Sequence, residues 1–134
     1  MLIHKKPAWV YQGKTINQVV EELSTFENPG REVFLSVDYG DSMAPIGAIK
    51  NKDGRYLLLV CKKQNSIEQV GCSRMTISDL VKKLQSKGRQ DLEVRLSLDF
   101  DENHKPISII VKKDNFCLLM SCSDFYDREL TLTR

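Results

Sequence analysis

The feature that most constrains this chain is that one stretch of it occurs twice. Thr15 to Cys61 and Thr76 to Cys122 align over 47 positions without a gap. Seventeen aligned pairs are identical: Thr15/Thr76, Ile16/Ile77, Val20/Val81, Leu23/Leu84, Glu32/Glu93, Val33/Val94, Leu35/Leu96, Ser36/Ser97, Asp38/Asp99, Pro45/Pro106, Ile46/Ile107, Ile49/Ile110, Lys52/Lys113, Asp53/Asp114, Leu57/Leu118, Leu58/Leu119 and Cys61/Cys122. Average amino-acid usage would give roughly three. The sequence reads as an internal duplication, so its fold must be built from two similar units.

A unit of about 60 residues buries only a marginal core of its own, so the two halves are expected to share one. The expectation is a single compact domain over 1–134, made of repeats 15–61 and 76–122, a linker or strand at 62–75 and a C-terminal strand at 123–134. Such a chain is a monomeric pseudo-dimer or forms a homodimer.

Within each repeat the patterning changes period once. Ile16, Val19, Val20, Leu23 and Phe26 fall on one helical stripe, as do Ile77, Leu80, Val81 and Leu84. Thr15 with Gln18, and Thr76 with Asp79, have the spacing of a capping box. Asn28-Pro29-Gly30 and Lys87-Gly88 stop the two helices.

Period-2 runs follow. Val33, Leu35 and Val37 alternate within Glu32–Asp38, matched by Val94, Leu96 and Leu98. Pro45-Ile46 and Pro106-Ile107 open second strands, where a missing N–H does least harm. Lys52-Asp53-Gly54 and Lys113-Asp114-Asn115 suit tight hairpins. Tyr56–Cys61 and Cys117–Cys122 are nearly all apolar, as strands sealed on both faces are. The predicted class is α+β: two pseudo-symmetric α-β-β-β repeats forming antiparallel sheet or sheets, with the helices packed on one face. Trp9, Val10 and Tyr11 form a β-prone run before the first helix, and Glu129–Thr133 reads as a last strand.

The pattern T-I-x-x-V/L-V-x-x-L, then E-V-x-L-S-x-D and P-I-x-x-I, resembles small helix-plus-three-strand-meander domains of bacterial and phage proteins. The resemblance covers nearly all of both repeats and implies that fold and a bacterial or mobile-element origin. It carries over no catalytic residue, and its tandem form departs from the usual single copy.

Candidate chemistry is sparse. The chain holds four cysteines and two histidines. It contains no C-x-x-C, P-loop, G-x-G-x-x-G, H-E-x-x-H or G-x-S-x-G, so neither a metal nor a cofactor is expected. Cys61, Cys72, Cys117 and Cys122 read as reduced thiols, and nothing local makes Cys72 and His104 a nucleophile and base. Asp38 and Asp99 form a matched pair that would make a cation or catalytic carboxylate site only if they met in space. No apolar run approaches the roughly 20 residues of a membrane span, and the N-terminus lacks the apolar core of a signal peptide, so a cytoplasmic protein with no membrane partner is expected.

Two binding surfaces remain. Trp9 and Tyr11 have no aromatic counterpart in the second half, and with Phe125 and Tyr126 they are candidate anchors for a protein partner, although core burial is the simpler expectation for Trp9 and Tyr11. Lys62, Lys63, Arg74, Lys82, Lys83, Lys87 and Arg89 form a basic set suited to nucleic acid, although the net charge is only +2. Glu21-Glu22 on the first helix become Lys82-Lys83 on the second. The favoured function is a small non-enzymatic protein-binding module, such as a phage or mobile-element inhibitor of a host system. Nucleic-acid binding and an enzyme or cation site at Asp38/Asp99 are the alternatives.

Overall fold

The structure, a computed structural model, describes residues 7–37, 43–61, 75–97 and 103–123. Along these segments run α1 (Ala8–Gln12), β1 (Lys14–Thr15), α2 (Ile16–Leu23), β2 (Glu32–Ser36), β3 (Ala44–Lys52) and β4 (Tyr56–Cys61). Then come α3 (Ile77–Gln85), β5 (Glu93–Ser97), β6 (Lys105–Pro106), β7 (Ile109–Lys112) and β8 (Phe116–Met120). The architecture is mixed α+β with one curled sheet in the order β1-β5-β4-β3-β2-β8-β7, in which β6 also pairs with β5. Asp38, Asp99, the 62–74 stretch and the expected strand at Glu129–Thr133 lie outside the described residues.

Both helices begin as their side chains dictate. Thr15 accepts the Gln18 amide at 3.2 Å while Gln18 Oε1 accepts the Thr15 amide at 2.8 Å. Thr76 and Asp79 repeat the exchange at 3.1 and 3.2 Å. Two orphan donors of each first turn are thereby satisfied. The Thr76 hydrogen bonds hold the Asp79 carboxyl below its usual pKa, helped by Lys82 and Lys83. The helix stripes then dock with alternate strand residues in one cluster: Ile16, Val19 and Leu23 from α2 and Ile77, Leu80 and Leu84 from α3 meet Val33, Leu35, Leu57, Leu59, Val94, Leu96, Cys117 and Leu119.

The sheet is not purely antiparallel, and this corrects the sequence expectation. Neighbouring strands within each meander are antiparallel, but β2 pairs with β8 in parallel and β4 with β5 in parallel. A parallel pair needs a crossover, and the chain from β4 through α3 to β5 supplies one. Alternation along a strand reports which face is buried; it says nothing of the direction of the neighbouring strand.

The cross-half pairings recur at matched positions. The Ile16 amide donates to the Leu92 carbonyl at 2.9 Å and the Asn17 amide to Gln90 at 3.0 Å. Reciprocally, the Ile77 amide donates to Arg31 at 2.9 Å and the Ser78 amide to Pro29 at 2.9 Å. Thr15 pairs with Glu93 in the β1–β5 ladder, and Thr76 bridges Glu32. The strand β3 shifts register between Ile46 and Ala48, at Gly47, and the matching break between β6 and β7 falls at Ile107–Ser108. Because β6 pairs with β5 and β7 with β8, this broken strand joins the two ends of the curl.

The gapless alignment fails at one point. Lys52 pairs with Tyr56 across Asp53, Gly54 and Arg55, whereas the Lys113 amide donates to the Phe116 carbonyl at 3.0 Å across only Asp114 and Asn115. The first hairpin is one residue longer, with Asp53 and Gly54 in the left-handed region at φ 59° and 70°. Ile49 therefore faces Leu59 as Ile110 faces Leu119. Leu58 and Leu59, not Leu57 and Leu58, match Leu118 and Leu119, and the Cys61/Cys122 identity is not a structural equivalence.

The N-terminal aromatic run is also corrected. Ala8–Gln12 is a single helical turn, not a strand. Pro7, at φ −62°, sets the entry, and Gly13, at φ 78°, ends it. Propensity is a weak guide over five residues, and here one tertiary contact decides. Val10 is fully buried in a second cluster with Leu118, Met120 and Cys122, on the opposite face of β8 from the main core. Ser108 locks the turn in place: its hydroxyl donates to the Val10 carbonyl at 2.7 Å and accepts the Cys122 amide at 2.9 Å.

Candidate functional site

The sequence-derived binding residues fall in different places. Trp9 and Tyr11 flank the buried Val10 and are 43% and 37% exposed, so the expectation that they lie in the core is corrected. The reason is helical geometry: on one short turn only one position in three or four can face the sheet, and Val10 takes it. Ile109, next to the serine that holds α1, is 39% exposed. Lys82 and Lys83 are exposed on the last turn of α3. Arg89 is not a free cation for phosphate: its Nε and Nη2 each lie 3.1 Å from an Asp91 carboxylate oxygen, which lowers the Asp91 pKa. Although α2 and α3 pack together, Glu22 pairs with Lys14 at 2.7 Å. Lys62, Lys63, Arg74, Cys72, Phe125, Tyr126, Asp38 and Asp99 lie outside the described residues.

Two outward-facing sites escape sequence reasoning. In the first, Tyr56 at the start of β4 stands opposite Glu93 of β5. Arg95 Nη1 donates to Glu93 Oε2 at 2.8 Å and Arg95 Nε to His104 Nδ1 at 2.6 Å. His104 Nδ1 is therefore the acceptor nitrogen, so Nε2 carries the proton and donates to the Tyr56 hydroxyl at 3.2 Å. The two rings lie 4.9 Å apart between centroids. Burial and then the Arg95 charge hold the His104 pKa below its ordinary 6.5, against the opposing pull of Glu93. These three hydrogen bonds and the ring contact make the cluster a surface brace between β4, β5 and the segment entering β6.

The second site is its counterpart across the matched halves. Phe34 takes the place of Arg95 and Phe116 that of Tyr56, meeting edge to face at 5.5 Å and 89°. Beside them is a cavity of about 420 Å³ lined by Asn28, Gly30, Arg31, Glu32, Phe34, Thr76, Asp114, Asn115 and Phe116. Asn28 Oδ1 accepts the Gly30 amide at 2.9 Å. Arg31 occupies the position that Leu92 fills in the other half, and its Nε and Nη1 are buried with no hydrogen-bond acceptor. An arginine before a strand gives no sequence signal of this, because arginines are ordinarily exposed.

The thiols among the described residues are not poised for reaction. Cys61, Cys117 and Cys122 are buried, and burial pushes Cys117 up to about 12 despite the nearby Arg31 charge. Among the described residues no group of three or more His, Cys, Asp or Glu is placed to hold a metal, and no helix is long and apolar enough to cross a membrane. Comparison of the chain with protein-family models, curated proteins and solved structures finds no match.

Proposed function

We propose that this protein is a non-enzymatic protein-binding module whose anchors are Trp9 and Tyr11, with Ile109 at their side. One observation carries the reading: α1 is anchored by the buried Val10 and the Ser108 hydrogen bond, yet leaves its two large aromatic side chains partly exposed. Exposed aromatics on a fixed backbone lose little entropy on binding and bury large area, which is the character of interface hot spots. The basic alternative is weaker because Asp91 offsets Arg89. Affinity capture from a bacterial lysate, with nuclease, tests the reading. A stoichiometric partner retained by the native chain and lost with Trp9→Ala/Tyr11→Ala supports it. A partner retained equally by both, or one released by nuclease, overturns it.

We also infer that the halves are duplicated units with pseudo-twofold symmetry that fold as one. The reciprocal bonds from Ile16 to Leu92 and from Ile77 to Arg31 support this, as do the matched parallel pairings. Fragments 1–67 and 68–134 should each lack dispersed NMR spectra alone and regain them when mixed. A folded single fragment would refute the shared unit.

A further inference from the structure

We propose that the cavity beside Phe34 and Phe116 is a binding site for a small organic monocarboxylate carrying an apolar group, with Arg31 as the carboxylate's partner. Arg31 lines the cavity, yet its Nε and Nη1 have no acceptor. Buried donors without partners are rare in folded proteins and demand a cause. Fold maintenance does not supply one here, since the matched position carries out the same backbone role with leucine: the Arg31 and Leu92 carbonyls each accept a helix amide at 2.9 Å. Because nothing holds those two nitrogens, turning the guanidinium toward the cavity breaks no hydrogen bond at either. Guanidinium presents paired donors that fit a carboxylate bidentately.

The remaining lining narrows the class. The edge-to-face phenylalanine pair offers an apolar wall, and the amide of Asn28 and hydroxyl of Thr76 are further polar groups. Glu32 and Asp114 are also among the lining residues, so the local field does not favour a dianion such as phosphate. The volume falls within the range of small-molecule pockets.

The test is NMR titration of the full chain with phenylacetate, with phenylacetamide and inorganic phosphate in parallel. Saturable shifts centred on Arg31, Phe34 and Phe116 are expected, with binding roughly tenfold or more weaker for the uncharged amide. Arg31→Leu should abolish those shifts while melting cooperatively, and Arg31→Lys should bind weakly, because the charge remains and the fork is lost. Absence of saturable shifts, equal binding by Arg31→Leu, or phosphate binding as tight as phenylacetate would each overturn the proposal.

Discussion

Replacing Arg31 with leucine should make this protein more stable. Two guanidinium nitrogens are buried without acceptors, and each unsatisfied buried donor costs about 1–3 kcal/mol. Leucine is the residue at the matched position, where Leu92 is 5% exposed and joins the main core. The backbone at both positions accepts a helix amide at the same 2.9 Å, so no main-chain change is required. Arg31 retains some solvent exposure, which lowers its penalty, and leucine is smaller, which leaves part of the space unfilled. The net expectation is a gain of about 1–3 kcal/mol, or a melting temperature higher by a few to about ten degrees for a chain of this size. Urea unfolding of both proteins measures it, with an unchanged m-value required for the comparison to hold. The reciprocal change, Leu92→Arg, should cost about 3 kcal/mol or more, because it removes core burial and inserts a charge with no acceptor. A loss of stability in Arg31→Leu with the m-value intact would refute the premise that this guanidinium is unsupported by the fold.

Gly13→Ala should cost about 1–3 kcal/mol in the same assay: φ 78° and ψ 178° is a region reserved for glycine, and a Cβ there would strike the Glu93 carboxylate. Thr15→Ala and Thr76→Ala should each cost about 1 kcal/mol and differ little, since the two capping boxes are alike. The depressed His104 pKa contributes stability that is fully present above 6.5, the unfolded value, and is lost as pH falls toward the folded value; urea midpoints at about pH 7.5 and pH 5 should differ less in His104→Gln than in the native chain. The Cys117 thiol, pushed up to about 12, should resist iodoacetamide at neutral pH until the chain unfolds, as peptide mapping of labelled protein would show.

What was legible in the sequence was what depends on near neighbours or on a period. Thr15 with Gln18 and Thr76 with Asp79 are three residues apart, and the strand runs from Glu32 and Tyr56 begin where their patterning begins. The helical turn at Trp9 was not legible, because its cause is a contact between Val10 and strand residues more than a hundred positions away. The hairpin offset was hidden by leucine runs that align equally well in two registers. The Arg95–His104–Tyr56 chain spans separations of 9 and 48 residues and follows no motif. Arg31 was obscured for a different reason: burial of a guanidinium is set entirely by where the next half of the chain lies.

The distribution of likeness between the halves separates structure from candidate function. On β2 and β5 the inward positions agree: Val33 with Val94 and Leu35 with Leu96 pack in the same core cluster. Their outward neighbours do not, for Phe34 stands where the other half has Arg95, and Phe116 where it has Tyr56. One outward site is thereby closed by its own hydrogen bonds through His104, while the other keeps an aromatic wall, a cavity and an arginine whose Nε and Nη1 have no acceptor. Packing cannot explain that difference, since both sites rest on the same pairing, Glu93 opposite Tyr56 and Glu32 opposite Phe116. The unbraced one leaves Arg31 Nε and Nη1 with unmet bonding capacity beside a cavity, and on α1 Val10 is buried while Trp9 and Tyr11 are exposed.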